Sequence, residues 1–360
     1  MGIASTFLHD HSIGRVMRGL FARIDRTRFT VHGFAFQSGE DAVLRAMKAD
    51  ADEWVTLGRD YRAARERMAA AELDVLLYPD IGMDPLTYFL AFARLAPVQC
   101  TTWGHPVTSG VPALDYFIST EHFEPADGER HYSERLVRLA DVALPGYYYR
   151  PQMPPPAPAP GFDRGRRVYF CPQMLFKLHP DFDAILADIL RRDPGGEVVI
   201  THKGAYDAHR LARLQARLQR NAADVYPRMV FLLRTPGAEG YWQRLRACDV
   251  VLDTVHYCGG NTSLEAISAG APVVTLPSGL QRGRHTYGFF RKMGFTETVA
   301  SSPEDYATLA VRIATDRDFA RHVRETQGAR AAALYEDESA VRQIEALFER
   351  AYDEAAGGGH

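Results

Sequence analysis

The residues best placed to do chemistry gather in four short segments. In DTVHYCGGNTSLEAISAGAPVVTLP, 253–277, an apolar run ends at Asp253 and two glycines, Gly259 and Gly260, form a turn. Asn261, Thr262 and Ser263 then open a helical stretch. The backbone N–H groups of such a helix start can hold a phosphate or diphosphate. Thr262 and Ser263 add hydroxyl donors, and Glu265, one turn in, can take a ribose diol. The same residues also read as a capped helix after a glycine turn, with Glu265 favouring the helix dipole. The segment is neither GxGxxG nor GxxxxGK[ST], so a nucleotide-sugar fits better than NAD or ATP. In CPQMLFKLHPDFDAIL, 171–186, Lys177 lies beyond a strand and before a helix opening near Pro180. A lysine there can neutralise a phosphate leaving group, and Gln173 can bond a base or phosphate.

The third segment is HDHSIGRV, 9–16. His11 stands at the start of a predicted helix after the first strand, where the helix N-terminus disfavours imidazolium and keeps a neutral ring able to accept a proton. His9 has an equal claim on local sequence, and Ser12 or Asp10 is the expected cap. The fourth is PVQCTTWGHPVTSGVPALDY, 97–116, a long Gly/Pro-shaped loop that presents His105. YPDIGMD, 78–84, lies at another strand end and offers Asp80 as an alternative base or an acceptor-orienting carboxylate. No HExxH occurs among the 13 histidines, and His9 and His11 have no neighbours that complete a ligand set, so no metal site is assigned. No GxSxG elbow supports a serine nucleophile.

These segments need strand ends to position them. The pattern predicts strands at 2–8, 29–36, 74–79, 97–103 and 114–120, with helices at 10–24, 41–49 and 61–72 between the earlier ones. The Pro-rich stretch 150–167 can be neither helix nor central strand. The pattern then restarts with strands at 168–171, 197–202, 228–233, 249–255 and 271–277. Helices are expected at 181–192, 206–220, 239–247 and 261–270. The expected class is α/β, two Rossmann-like domains facing across a cleft. The expected boundaries are an N-terminal domain at 1–150, a linker at 151–166, a C-terminal domain at 167–335 and a closing helix at 336–356. Residues 355–360 read as a floppy tail. The 42 Lys and Arg against 45 Asp and Glu leave a net charge of −3, which gives no support for nucleic acid as the main partner. Four cysteines without a CxxC pair point to a reducing, cytoplasmic setting. No apolar stretch is long enough to span a membrane. The start, MGIAST, fits a myristoylation pattern but reads as a buried first strand. A strand so close to the first residue suggests a trimmed chain or a lost upstream module.

At these segments the chain resembles the bacterial relatives of the O-linked N-acetylglucosamine transferase and SPINDLY family. The stretches that carry the resemblance are DHSIGRVM, RLAPVQCTTWGHPVTSGVPALDYFI, YSERLVRL at 132–139, FCPQMLFKLHPDFD and DVVLDTVHYCGGNTSLEAISAGAPVVTLP. They keep the family's order over about residues 2–333. The resemblance implies a B-type glycosyltransferase fold, an inverting reaction, a UDP-sugar donor and no obligatory metal or other cofactor. By position it implies that His11 is the active-site histidine and that Lys177 contacts the donor diphosphate. Asn261 and Thr262 become the phosphate-binding helix start, and Glu265 the ribose ligand. His105 stands where animal members carry a tyrosine. The family's tetratricopeptide superhelix finds no counterpart in the 360 residues. RTPGAEGYWQRL, 234–245, lacks the lysine and histidine that help hold the nucleotide in animal members, so Tyr241 or Trp242 is expected to stack on the base.

The expected function is transfer of a hexose or N-acetylhexosamine from UDP-glucose or UDP-N-acetylglucosamine to a protein, peptide or glycan acceptor. One alternative is a glycan or small-molecule glycosyltransferase, or a UDP-sugar epimerase, of the same fold. Another is a nucleotide-sugar-binding scaffold without turnover.

Overall fold

The computed structural model describes residues 1–36, 39–162, 165–235 and 237–357. The expected linker at 151–166 and the stretch 234–245 therefore each lie partly outside the described residues, as does the end of the expected tail. The chain divides into two compact units, Met1–Tyr149 with Leu334–His360, and Arg150–Ala333.

Short runs of Val, Ile, Leu and Phe become strands buried on both faces, which is the pattern of an all-parallel sheet covered by helices. In the first unit the order is β1 (Gly2–Ser5), α1 (Ser12–Arg23), β2 (His32–Ala35), α2 (Ala42–Asp50), β3 (Glu53–Thr56) and α3 (Tyr61–Ala69). β4 (Val75–Tyr78), α4 (Pro85–Leu90), β5 (Val98–Thr102), β6 (Tyr116–Thr120) and β7 (Arg135–Leu139) follow. They form one seven-stranded parallel sheet, ordered β3-β2-β1-β4-β5-β6-β7. Sequence reasoning missed β3 and β7, the two edge strands. Each is partly exposed, so neither shows a continuous apolar run.

The second unit runs β8 (Arg167–Cys171), α5 (Pro180–Arg192), β9 (Gly196–His202), α6 (Ala208–Asn221), β10 (Met229–Leu233), α7 (Glu239–Ala247), β11 (Val250–Leu252), α8 (Asn261–Ser268) and β12 (Val273–Val274). Its parallel sheet is ordered β10-β9-β8-β11-β12. Helices α9 (His285–Met293), α10 (Pro303–Thr315) and α11 (Arg317–Arg330) complete it. Its core joins Tyr169, Phe182, Ile185, Val198, Leu252 and Tyr306. The Pro-rich segment lies against α7. Gln243 accepts from Ala157 N at 2.8 Å and donates to Pro155 O at 2.7 Å, while Arg244 donates to Pro160 O at 2.9 Å.

The last helix, α12 (Glu338–Gly357), returns to the first unit. Val341, Ile344, Leu347 and Phe348 form its buried stripe. Buried Glu345 accepts from Asp25 N at 2.8 Å and pairs with Arg28 at 3.2 Å. Helix reaches Gly357, so residues 355–357 of the expected tail are ordered as helix, and 358–360 lie outside the described residues. No helix among the described residues is long and apolar enough to cross a membrane.

Candidate active site

Strand order puts the candidate residues at special places. In each sheet the chain builds outward to one side and then to the other, so two adjacent strands send their following loops in opposite directions. That switch point, at the carboxyl ends of the strands, is where open parallel sheets bind ligands. In the first sheet it lies between β1 and β4, and in the second between β8 and β11. His9 and His11 follow β1, and Asp80 follows β4. Gln173 and Lys177 follow β8, and the 253–263 segment follows β11.

At the first switch point α1 begins on His11, whose Nδ1 accepts from Ile13 N at 3.3 Å. The imidazole itself therefore caps the helix, in place of the expected Ser12 or Asp10. Asp10 is engaged elsewhere: its carboxylate accepts from Arg15 at 2.8 Å, and its N–H donates to Asp41 at 2.9 Å. His11 also stacks on Phe7 with ring centroids 4.6 Å apart. The turn is tight enough to require Gly14, where a Cβ would stand 2.0 Å from His9 O. An Nδ1 that accepts the cap bond leaves the hydrogen of the neutral ring on Nε2. His11 thus offers an N–H donor at Nε2.

Asp80 is fully buried. Its Oδ2 accepts from Ser5 Oγ at 2.8 Å, and Oδ1 has no hydrogen-bond partner among the described residues. Burial, with Asp84 adding like charge, pushes its carboxyl up to about 7. His105 lies across the same edge. Its ring packs so closely on Gly82, in a left-handed conformation at φ +105°, that a Cβ there would meet Cδ2 at 2.6 Å. The neighbouring Gly104 leaves room for Pro79 O, which a Cβ would approach to 2.4 Å. His11, Asp80 and His105 therefore share one edge of the first unit.

At the second switch point Lys177 Nζ donates to Cys258 O at 2.8 Å and to Gln173 Oε1 at 3.4 Å. It also lies 4.5 Å from the centre of the Tyr257 ring. Gln173 Nε2 in turn donates to Thr262 Oγ1 at 2.9 Å. Lys177, Gln173 and Thr262 thus form one connected group across the two loops. Burial lowers the Lys177 ammonium below the usual lysine range. Asp253 shapes the turn beneath it, accepting from Gly259 N at 2.6 Å and Thr275 Oγ1 at 2.8 Å. A Cβ at Gly259 would lie 2.3 Å from Ser263 Oγ and 2.7 Å from both Gln173 Nε2 and Thr262 Oγ1, so any side chain there would displace this group.

α8 starts on a glycine, which has no side chain to cap it. Gly260 is its N-cap, and Gly260 O receives Ser263 N at 3.0 Å and Leu264 N at 3.2 Å. The positive end of the helix therefore rests on Asn261 and Thr262, next to the lysine. Ser263 is tied inward to Thr286 Oγ1 at 2.7 Å, and Glu265 lies on the buried face of α8. A cation, a hydroxyl and a helix N-terminus on one edge make an anion cradle. Tyr241 is in the first turn of α7, half-buried, with its ring 5.9 Å from that of Trp242. Trp242 packs into the core, away from any base-stacking role.

Sequence reasoning passed over three groups at this edge. Tyr206, just beyond β9, is 69% exposed and lies beside Lys203 and Arg210. Arg234, just beyond β10, donates to Pro172 O at 3.1 Å. Buried His285 donates through its backbone to Cys258 Sγ at 3.1 Å. Its imidazole is pushed down to about 3, by burial first and the Lys177 charge second. A single Tyr, Arg or His outside a motif gives no sequence signal. Only the topology brings them to this edge.

The family model for glycosyl transferase family 41 matches residues 1–149 and 165–340. The SPINDLY protein of Arabidopsis thaliana, described as a probable UDP-N-acetylglucosamine–peptide N-acetylglucosaminyltransferase, is 30% identical over 228 residues. That match covers 62% of this chain and 24% of SPINDLY, so the chain spans about a quarter of that relative's length. A mutant form of the O-GlcNAc transferase of Thermobaculum terrenum superposes over the whole chain with a TM-score of 0.88 and 27% identity, which covers 68% of that structure. HepE from Anabaena, solved with UDP and glucose, shares the fold at a TM-score of 0.65 and 12% identity, over 97% of this chain and 98% of its own. The two parallel-sheet units are those of a B-type glycosyltransferase, and the chain belongs to glycosyl transferase family 41.

Proposed function

We propose that this chain transfers a hexose or N-acetylhexosamine from a UDP-sugar to a protein side chain, with inversion at the anomeric carbon. The observation that carries the reading is the linked group of Lys177, Gln173 and Thr262 at the glycine-led start of α8, on the switch point of the second sheet. That unit takes the donor. Lys177, Thr262 and the amides around Asn261 hold the diphosphate, and Glu265 takes the ribose. The first unit takes the acceptor. An acceptor oxygen or amide nitrogen attacks the anomeric carbon as the bond to the diphosphate breaks. The negative charge that gathers on the departing UDP is met by Lys177 and the positive end of α8.

His11 orients the acceptor through Nε2–H. Asp80, its carboxyl raised to about 7 by burial, is the alternative base or the carboxylate that orients the acceptor. Lys177 and the helix start supply the positive charge at the diphosphate, so no resident metal is needed for that task. Four buried free cysteines suit a cytoplasmic setting. The similarity to SPINDLY supports a protein or peptide acceptor and UDP-N-acetylglucosamine as the first donor to try.

The test is UDP release from UDP-glucose and UDP-N-acetylglucosamine, with mass analysis of the acceptor product. Lys177→Ala is expected to lower transfer by about 10²–10³-fold, the usual cost of losing one charge-stabilising donor. Near-normal rates in both Lys177→Ala and His11→Ala would sink the reading. UDP binding without any release from a donor would mark a scaffold instead.

A further inference from the structure

We infer that the second unit carries a binding site for a borderline transition-metal ion of the zinc class, formed by His179, Asp181 and His256. These side chains come from two separate loops. His179 and Asp181 begin α5, and His256 lies between β11 and α8. Asp181 Oδ2 is 2.8 Å from His256 Nε2 and 3.4 Å from His179 Nδ1. One ligand atom from each residue falls within 4.8 Å of the other two.

Atoms bound tetrahedrally to zinc at about 2.0–2.1 Å stand roughly 3.3 Å apart, so adjustments of well under 2 Å would seat the ion. Two imidazole nitrogens and one carboxylate oxygen are the donor types that zinc prefers. All three residues are exposed, which gives the ion a path in and leaves its fourth position to water.

The backbone favours this convergence. His256 adopts φ +68°, a left-handed conformation uncommon for a residue with a side chain. From there its ring meets that of His179 edge-on, with centroids 4.7 Å apart. His179 Nδ1 accepts from Asp181 N at 3.2 Å as the cap of α5, and binding the ion at Nδ1 gives up that cap bond. On metal binding the hydrogen on His256 Nε2 is exchanged through solvent for one on Nδ1, so the neutral ring offers its Nε2 lone pair and the ion takes the place between Nε2 and Asp181 Oδ2. The bound ion ties the start of α5 to the loop that carries Tyr257 and Cys258. Lys177 touches that loop, so zinc fixes the arrangement of the anion cradle from outside it. The site stands on its own three side chains and does not depend on the sugar-donor reading.

The experiment is calorimetric titration of Zn²⁺ into the full chain in a non-chelating buffer, paired with the visible spectrum of the Co²⁺ form. His179→Asn keeps a good helix cap, and His256→Asn suits the left-handed backbone, so neither should unfold the loops. The wild-type chain is expected to show one saturable site and a Co²⁺ spectrum of low coordination number. Each of His179→Asn, His256→Asn and Asp181→Asn should weaken Zn²⁺ binding by at least about tenfold and bleach that spectrum. His122, which meets Glu121 and Asp141 in the first unit, is the control. His122→Ala should leave the isotherm unchanged. Absence of saturable binding, equal binding in all three Asn variants, or loss of binding in His122→Ala would overturn the assignment.

Discussion

His11 closes the β1–α1 turn with its own ring, and that bond limits its chemistry. A proton added at Nδ1 would face the Ile13 N–H it now accepts from and would break the cap. While that bond is kept, the ring nitrogen left to donate is Nε2, and in the proposed reaction it orients the acceptor. His11→Asn separates the two duties, because Asn caps helices well but lacks the Nε2–H. His11→Asn should keep its melting temperature within about 2 °C of wild type while transfer falls roughly 10²-fold. His11→Ala should lose the transfer and about 1 kcal/mol of stability. A normal rate in His11→Asn beside a slow His11→Ala would reduce the histidine to a cap. The position of His11 at a strand end was legible in the sequence. Its cap bond was not, since Asp10 and Ser12 are the better cap types by chemistry. Asp10 is taken by Arg15 and Asp41, and only the fold shows that.

At the scale of elements, two loops close on the start of α8 without a Cβ between them. Gly259→Ala would drive a methyl into Ser263 Oγ, Gln173 Nε2 and Thr262 Oγ1 together. The Gln173–Thr262 bond is then the first to open, and Lys177 loses the partner that links it to the helix. We expect UDP affinity to fall by about tenfold or more, roughly 1.4 kcal/mol, measured by calorimetry on the folded variant. Unchanged UDP affinity would mean that the linked group does not form the anion site. This element was the most legible part of the site, because a glycine pair between a strand and a helix start has few structural uses. Trp242 was misjudged for the opposite reason. An aromatic side chain in a helix carries no mark of which face is buried, and α7 turns Trp242 inward while Gln243 fastens the Pro-rich segment. Sequence reasoning made no assignment to helices α9, α10 and α11; the starts of α10 and α11 rest on the caps Ser302 and Asp316, which are short-range features.

At the scale of the whole molecule, a buried titratable group near the candidate site of each unit responds to pH, and the two respond in opposite directions. Asp80, in the first unit, holds its proton more tightly folded than unfolded, with a carboxyl raised from 3.8 to about 7. Its contribution to stability is therefore lost as pH rises between those values. His285, in the second unit, is pushed from 6.5 down to about 3, so below 6.5 the unfolded chain takes a proton that the folded chain refuses. Its contribution is lost as pH falls through that window. With a net charge of only −3, no large overall field overrides these local effects. Asp80→Asn should raise the melting temperature more at pH 7.5 than at pH 4.5, since both side chains are neutral in acid. His285→Gln carries a packing cost at every pH, and its melting temperature relative to wild type should improve as pH falls from 7.5 to 4.5. Scanning calorimetry of both variants at the two pH values makes the comparison. Parallel, pH-independent shifts would show that neither burial changes protonation on folding. The opposed slopes would show that burial holds both groups uncharged, Asp80 by keeping its proton and His285 by refusing one.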